Sequence, residues 1–177
     1  MEPGLFLLNL HVSHKQKDRV MSSILKEFLQ AKAFKQAHAC EQISYKSGER
    51  IILEGEESLD VFYIEKGQVR INKRVVLQDG RQIQSGFSKL GPGETFGELN
   101  LFDGSPRSAS VVADEDVELL RINRDILLQY LDDNPEKAYH LFKYWLQKLA
   151  ANLRLSNDRS SHLFAWGLKQ YKIDEDL

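Results

Sequence analysis

Apolar positions along this chain keep three successive rhythms. From Met21 to Ala39, Ile24, Leu25, Phe28, Leu29 and Phe34 recur at helical spacing, which predicts one or two helices. From about Ile43 to Ile122 the rhythm shortens. Strand-sized runs such as Val61–Ile64, Val69–Ile71, Val75–Leu77 and Val117–Ile122 stand between turn signals: Ser47-Gly48, Glu54-Gly55, Lys66-Gly67, Asp79-Gly80, Ser85-Gly86 and Gly91-Pro92-Gly93. Turns at such short intervals predict an antiparallel sandwich or barrel of the jelly-roll kind. After Asn123 the helical rhythm returns. Asn123 or Asp125 can cap a short helix through Leu131, and Asn134-Pro135-Glu136 opens a longer one. Neither glycine nor proline interrupts Glu136 to Trp166.

The long helix carries a stripe: Phe142, Leu146, Leu149 and Leu153 follow one another at spacings of three and four, with Trp145 beside them. Such a stripe can dock on the barrel or pair with the same helix of a second copy. Ser156, Asn157 and Ser160 continue the face as polar groups before Leu163 and Phe164 restore it. A polar break of this kind sets register, stays solvated, or faces a polar ligand. The expected architecture is therefore mainly β with flanking α: an antiparallel jelly-roll β-barrel with N-terminal helices and a long C-terminal helix. The expected divisions are an N-terminal extension over 1–20, the β-roll with short flanking helices over 21–134, and the long helix with its tail over 135–177.

Composition narrows the function more than the fold. With 177 residues, 42% hydrophobic and 28% charged, the chain can bury a real core and is not compositionally disordered. A net charge of −2 argues against non-specific binding of nucleic acid or membrane by the whole chain. The basic side chains Lys137, Lys143, Lys148, Arg154, Arg159, Lys169 and Lys172 of the helical part read as a solvated face, and Asp174-Glu175-Asp176 as a solvated tail. The single cysteine, Cys40, forms neither an internal disulfide nor a thiolate metal set, so a reducing cytoplasm is expected. The apolar start Leu5–Leu10 is too short to span a bilayer, and Glu2 suits no signal peptide; it packs on the fold or on a partner. His11, His14, His38, His140 and His162 all lie outside the predicted strands, which disfavours a cupin-like metal enzyme, and no nucleophile–base arrangement stands out. No catalysis, no metal and no cofactor are expected.

The candidate chemistry lies in Phe96–Val111, FGELNLFDGSPRSASV. Gly97-Glu98 opens a short apolar segment through Leu99, Leu101 and Phe102. The segment breaks at Asp103-Gly104-Ser105-Pro106 and presents Arg107 just before a strand-like run. Exposed amides and an arginine can face a small anion while the carboxylate accepts from sugar hydroxyls. Glu98 and Arg107 could instead close the segment as a structural ion pair.

This segment closely resembles the phosphate-binding cassette of cyclic nucleotide-binding domains, as found in bacterial catabolite activator-type regulators, cyclic-nucleotide-dependent kinases and gated channels. YKSGERIILEGEES, VFYIEKGQVRI and KLGPGETFGEL occur in matching order around it, so the resemblance runs from about Glu41 to the end of the long helix. It implies a non-catalytic sensor whose ligand is cAMP or cGMP. In that likeness Glu98 accepts from the ribose 2′-hydroxyl and Arg107 pairs with the exocyclic phosphate oxygens. Gly97 lets the backbone approach, Leu99 adds a main-chain contact, and the amides of Ser108 and Ala109 complete the cradle. Base choice would fall to Ser108 and to Ser156-Asn157, which replace the Thr-Ser pair that touches adenine in the activators. Ser108 suits either base; the expectation leans to cAMP. The activators continue into a winged helix-turn-helix, which these 177 residues do not contain; unless they belong to something longer, the expectation is no DNA-binding domain and no membrane span, with output through a protein partner or a homodimer along the long helix, or simple sequestration of the nucleotide. The alternative is an empty or other-ligand jelly-roll interaction module.

Overall fold

The computed structural model describes residues 39–76, 79–80 and 82–170. The expected N-terminal extension and the helices of Met21–Ala39 lie almost wholly outside the described residues. Eight strands follow: β1 (Cys40–Tyr45), β2 (Arg50–Ile52), β3 (Val61–Lys66), β4 (Val69–Val76), β5 (Gln82–Leu90), β6 (Thr95–Phe96), β7 (Ser110–Ala113) and β8 (Val117–Ile122). A helical turn, α1 (Asn100–Asp103), lies between β6 and β7, and the helices α2 (Arg124–Asp133) and α3 (Pro135–Gln170) complete the described chain.

The strands form two antiparallel four-stranded sheets, ordered β1-β8-β3-β6 and β2-β7-β4-β5. Consecutive strands alternate between sheets at most steps, the layered jelly-roll arrangement that turn spacing predicts. Strand β8 shows why the pattern is legible. Val117, Leu119 and Ile122 are buried while Arg121 is exposed, and β8 is paired on both sides, with β1 and with β3. Ile52, Phe62, Ile64, Val69, Leu90, Phe96, Val111, Ala113, Val117 and Leu119 form the core between the sheets. Each large side chain fully buried there contributes about 1.5–3 kcal/mol.

Two predicted runs, Val69–Ile71 and Val75–Leu77, belong largely to one strand, β4. Asn72, Lys73 and Arg74 between them suggest an interruption, but they remain paired with β5 across a shift in register at Ile71/Asn72. A bulge absorbs the change of phase without ending the strand.

Asn123 caps α2: its side-chain oxygen accepts from the amides of Asp125 at 3.0 Å and Ile126 at 3.2 Å. Such a cap contributes about 1 kcal/mol. Leu127 and Leu131 bury the apolar face of α2. Two compact units meet at Pro135 and Glu136. The helix α3 starts at Pro135 and runs 36 residues to Gln170, unbroken through Glu136–Trp166. Ala138, Leu141 and Trp145 are buried, whereas Phe142, Leu146, Leu149 and Leu153 are exposed. Among the described residues, no helix is long and apolar enough to cross a membrane.

Candidate functional site

The site grows out of β6. Phe96 pairs with Phe62 on β3, and their rings stack at 5.0 Å between centroids. The chain then turns at Gly97, whose φ of 82° lies in the left-handed region that glycine tolerates and other residues resist. Space makes the same demand. A Cβ at Gly97 would sit 2.6 Å from Nη1 of Arg107 and 2.9 Å from the carbonyl oxygen of Asp60.

After Gly97 the helical turn α1 is pinned from inside. Leu101 is buried, and the buried Asn100 donates through Nδ2 to the Ser105 carbonyl. Gly104 ends the turn in the left-handed conformation, its amide donating to the Asn100 carbonyl at 3.3 Å. Asp103 then accepts from the amide of Ser105 at 3.0 Å and from its hydroxyl at 2.7 Å. These two bonds hold the Asp103 carboxyl below the usual carboxylate range. Arg124, at the start of α2, donates from Nε at 3.1 Å and Nη2 at 2.9 Å to the Leu101 carbonyl. A carbonyl at the end of a helical turn lacks a partner within it, and the guanidinium supplies one.

Arg107 is the centre. Only 3% of it is exposed. Its backbone is tied to the 53–60 turn: its amide donates to Glu56 and its carbonyl accepts from Gly55, both at 2.8 Å. Its side chain donates from Nε to the Ser58 hydroxyl at 3.0 Å, from Nη1 to the Gly97 carbonyl at 3.1 Å, and from Nη2 to the Asp60 carbonyl at 2.7 Å. The guanidinium also lies 6.0 Å from the centre of the Phe62 ring. Burial pushes its pKa down, and the charges of Glu56, Asp60 and Glu98 oppose that shift. The three bonds fix the plane of a group that carries five N–H donors, so a second N–H on each terminal nitrogen has a defined direction. A group that stays protonated and is aimed in advance is suited to a phosphate.

Of the expected site residues, Gly97 meets the guanidinium through its carbonyl and Glu98 through its charge, while Leu99, Ser108 and Ala109 are their neighbours along the chain. Glu98 and Ala109 are half-buried, and Leu99 and Ser108 are exposed. Ser110, which follows, is buried and accepts from the amide of Glu54 at 3.0 Å. Ser156 and Asn157 stand exposed on α3, in the second unit. Sequence reasoning missed the residues that orient the arginine, Ser58 and the Asp60 carbonyl, and it missed Arg124. The run EGEESLD before β3 marks a turn, but nothing in it announces contact with a residue some fifty positions away.

Comparison with known proteins shows the family. The cyclic nucleotide-binding domain family matches residues 42–134, and the chain belongs to that family. It is 31% identical over 121 residues to the CRP-like cAMP-activated global transcriptional regulator of Mycobacterium tuberculosis, a match covering 68% of this chain and 50% of that protein. It is 33% identical over 138 residues to human (Homo sapiens) cGMP-dependent protein kinase 2, covering 77% of this chain and 17% of the kinase. A solved cyclic nucleotide-binding domain from Methylobacillus flagellatus superposes with a TM-score of 0.62 at 26% identity, covering 80% of this chain and 83% of that one. The chain spans about half the length of the bacterial regulator it matches.

Proposed function

We propose that this chain is a non-catalytic sensor that binds a cyclic mononucleotide, cAMP in preference to cGMP, and passes the signal to a protein partner through its helices. The observation that carries the reading is the buried, pre-oriented Arg107, set by neutral oxygens of Ser58, Asp60 and Gly97 beside the half-buried Glu98. The second N–H groups on its terminal nitrogens meet the exocyclic oxygens, the amides of Ser108 and Ala109 complete the cradle, and Glu98 accepts from the ribose 2′-hydroxyl. Gly97 and the main chain of Leu99 approach the sugar. Charge-assisted bonds of this type contribute about 1.5–3 kcal/mol each. None of these groups is asked to break a bond.

Ser108, exposed beside Arg107 in the chain, is the candidate within the first unit for reading the base. The lean to cAMP rests on the mycobacterial relative, a cAMP-activated regulator; the human relative is a cGMP-dependent kinase, so cGMP also belongs to the family's repertoire. The exposed Phe142, Leu146, Leu149 and Leu153 keep a four-three spacing along α3, which suits a coiled-coil seam with a second copy. Output follows if the ligand binds one helix arrangement better than another.

Calorimetric titration with cAMP, cGMP and adenosine tests the reading, with Arg107→Ala as the control. Both cyclic nucleotides are expected to bind, cAMP more tightly, and the variant to lose at least about tenfold, the equivalent of 1.4 kcal/mol. Absence of heat and of thermal shift with either cyclic nucleotide, or an undiminished affinity in Arg107→Ala, overturns it.

A further inference from the structure

The turn that seats Arg107 has the wrong sign for a simple anion site. Residues 54–60 read Glu-Gly-Glu-Glu-Ser-Leu-Asp, four carboxylates and no basic side chain. This turn is not incidental to the arginine. It holds the Arg107 backbone at 2.8 Å in both directions through Gly55 and Glu56, and it holds the side chain through Ser58 and the Asp60 carbonyl. With Glu98 on the cassette, one guanidinium therefore shares its surroundings with the charges of Glu56, Asp60 and Glu98.

These carboxylates are not equivalent. Asp60 shares its charge with Arg121 at 3.7 Å, and Glu98 is assigned to the ribose. The Glu54 carboxylate accepts from the Arg74 amide at 2.9 Å, across the sheet. Glu56 accepts from the neutral Leu53 amide at 3.2 Å, which fixes its position without cancelling its charge.

Resting on the cyclic-nucleotide reading, we infer that the acidic 54–60 turn, Glu56 foremost, is a charge filter. It admits phosphodiesters bearing one negative charge and rejects phosphomonoesters bearing two. A cyclic phosphate has one ionised oxygen, and Arg107 balances it. A nucleoside 5′-monophosphate gains its second charge above a pKa of about 6. That second charge finds no second cation in the cassette and meets the carboxylates instead. The arrangement thus separates a cyclic nucleotide from linear nucleotides by charge as well as by shape.

The test uses three ligands at pH 8 and low salt: cAMP, adenosine 5′-monophosphate, and the methyl phosphodiester of that monophosphate. The last is acyclic but singly charged, so it separates charge from ring closure. Wild-type protein is expected to bind the methyl diester more tightly than the monophosphate. In Glu56→Gln, which keeps an acceptor for the Leu53 amide, the ratio of the two affinities is expected to fall by roughly two- to fivefold, the effect of one exposed carboxylate at low salt. Added salt is expected to narrow the wild-type ratio in the same direction, which provides the readout if the variant fails to fold. A ratio unchanged in Glu56→Gln or unchanged by salt, with cAMP still bound, overturns the filter and leaves the phosphate site standing. If wild-type protein binds no cyclic nucleotide, the phosphate site itself is refuted, and the filter with it.

Discussion

Replacing Gly97 by alanine should damage the site twice, and the two injuries can be separated. The first is conformational: at φ 82° an L-residue incurs roughly 1–2 kcal/mol that glycine does not. The second is steric. The new Cβ would stand 2.6 Å from Nη1 of Arg107 and 2.9 Å from the Asp60 carbonyl oxygen, both below any ordinary contact. The carbonyl belongs to the backbone entering β3, so the arginine must move. Moving it weakens the 3.1 Å bond to the Gly97 carbonyl and the 2.7 Å bond to the Asp60 carbonyl. Loss of one bond to a charged group adds about 1.5–3 kcal/mol. Together these terms give a destabilisation of about 2.5–5 kcal/mol. At 2–4 °C per kcal/mol for a chain of this size, the Tm should fall by roughly 5–20 °C. Gly104→Ala is the matched control. Gly104 also has a positive φ, 63°, but its Cβ would meet nothing within 4 Å, so only the conformational cost applies. Thermal denaturation and cyclic-nucleotide calorimetry on both variants check the reasoning. Gly97→Ala should lose at least about tenfold in affinity and Gly104→Ala much less. Equal effects of the two substitutions would refute the claim that the close approach of Gly97 to Arg107 matters.

Other substitutions probe the same frame. Arg107→Lys keeps the charge but cannot reach Ser58, Gly97 and Asp60 together, so cyclic-nucleotide affinity measured by calorimetry should still fall by about tenfold or more. Arg124→Gln removes the fork on the Leu101 carbonyl. A net loss of about 1–2 kcal/mol is expected, seen as a Tm lower by roughly 2–8 °C and as faster amide exchange at Gly104 and Ser105. Asp103 is held below the usual carboxylate range by Ser105, so the native state binds fewer protons there than the unfolded state. Its stabilising contribution is present above the unfolded pKa and is lost as pH falls through the folded one. Asp103→Asn should flatten the acid side of the stability profile followed by chemical denaturation. Burial lifts the Cys40 thiol to about 11, so alkylation of the native protein at pH 8 should be much slower than that of the unfolded chain.

How much of this was legible in the sequence depends on the range of the interaction. Strand β8 announces itself because Val117, Leu119 and Ile122 are read within six residues. The Asn123 cap is equally local, an acceptor three positions from its farther donor. The cassette was visible because glycine, carboxylate, turn and arginine fall within a dozen residues. What holds Arg107 was not visible. Two of its partners are backbone carbonyls, which have no sequence signature, and Ser58 and Asp60 reach it across 49 and 47 positions. Strand β4 was split for a related reason. Its middle residues, Asn72, Lys73 and Arg74, are polar, and only the pairing with β5 shows that they continue the strand.

The proposed function requires the ribose phosphate to lie between Gly97 and Ala109, on the Arg107 guanidinium. The most direct measurement is a nitrogen-15 NMR titration with cAMP, following the Arg107 Nε–H signal together with the backbone amides. The Nε–H signal and the amides of Gly97, Glu98, Ser108 and Ala109 should shift first and saturate along one binding curve, with other signals following in proportion. Saturating shifts that leave Arg107 and Gly97–Ala109 unmoved would contradict the account.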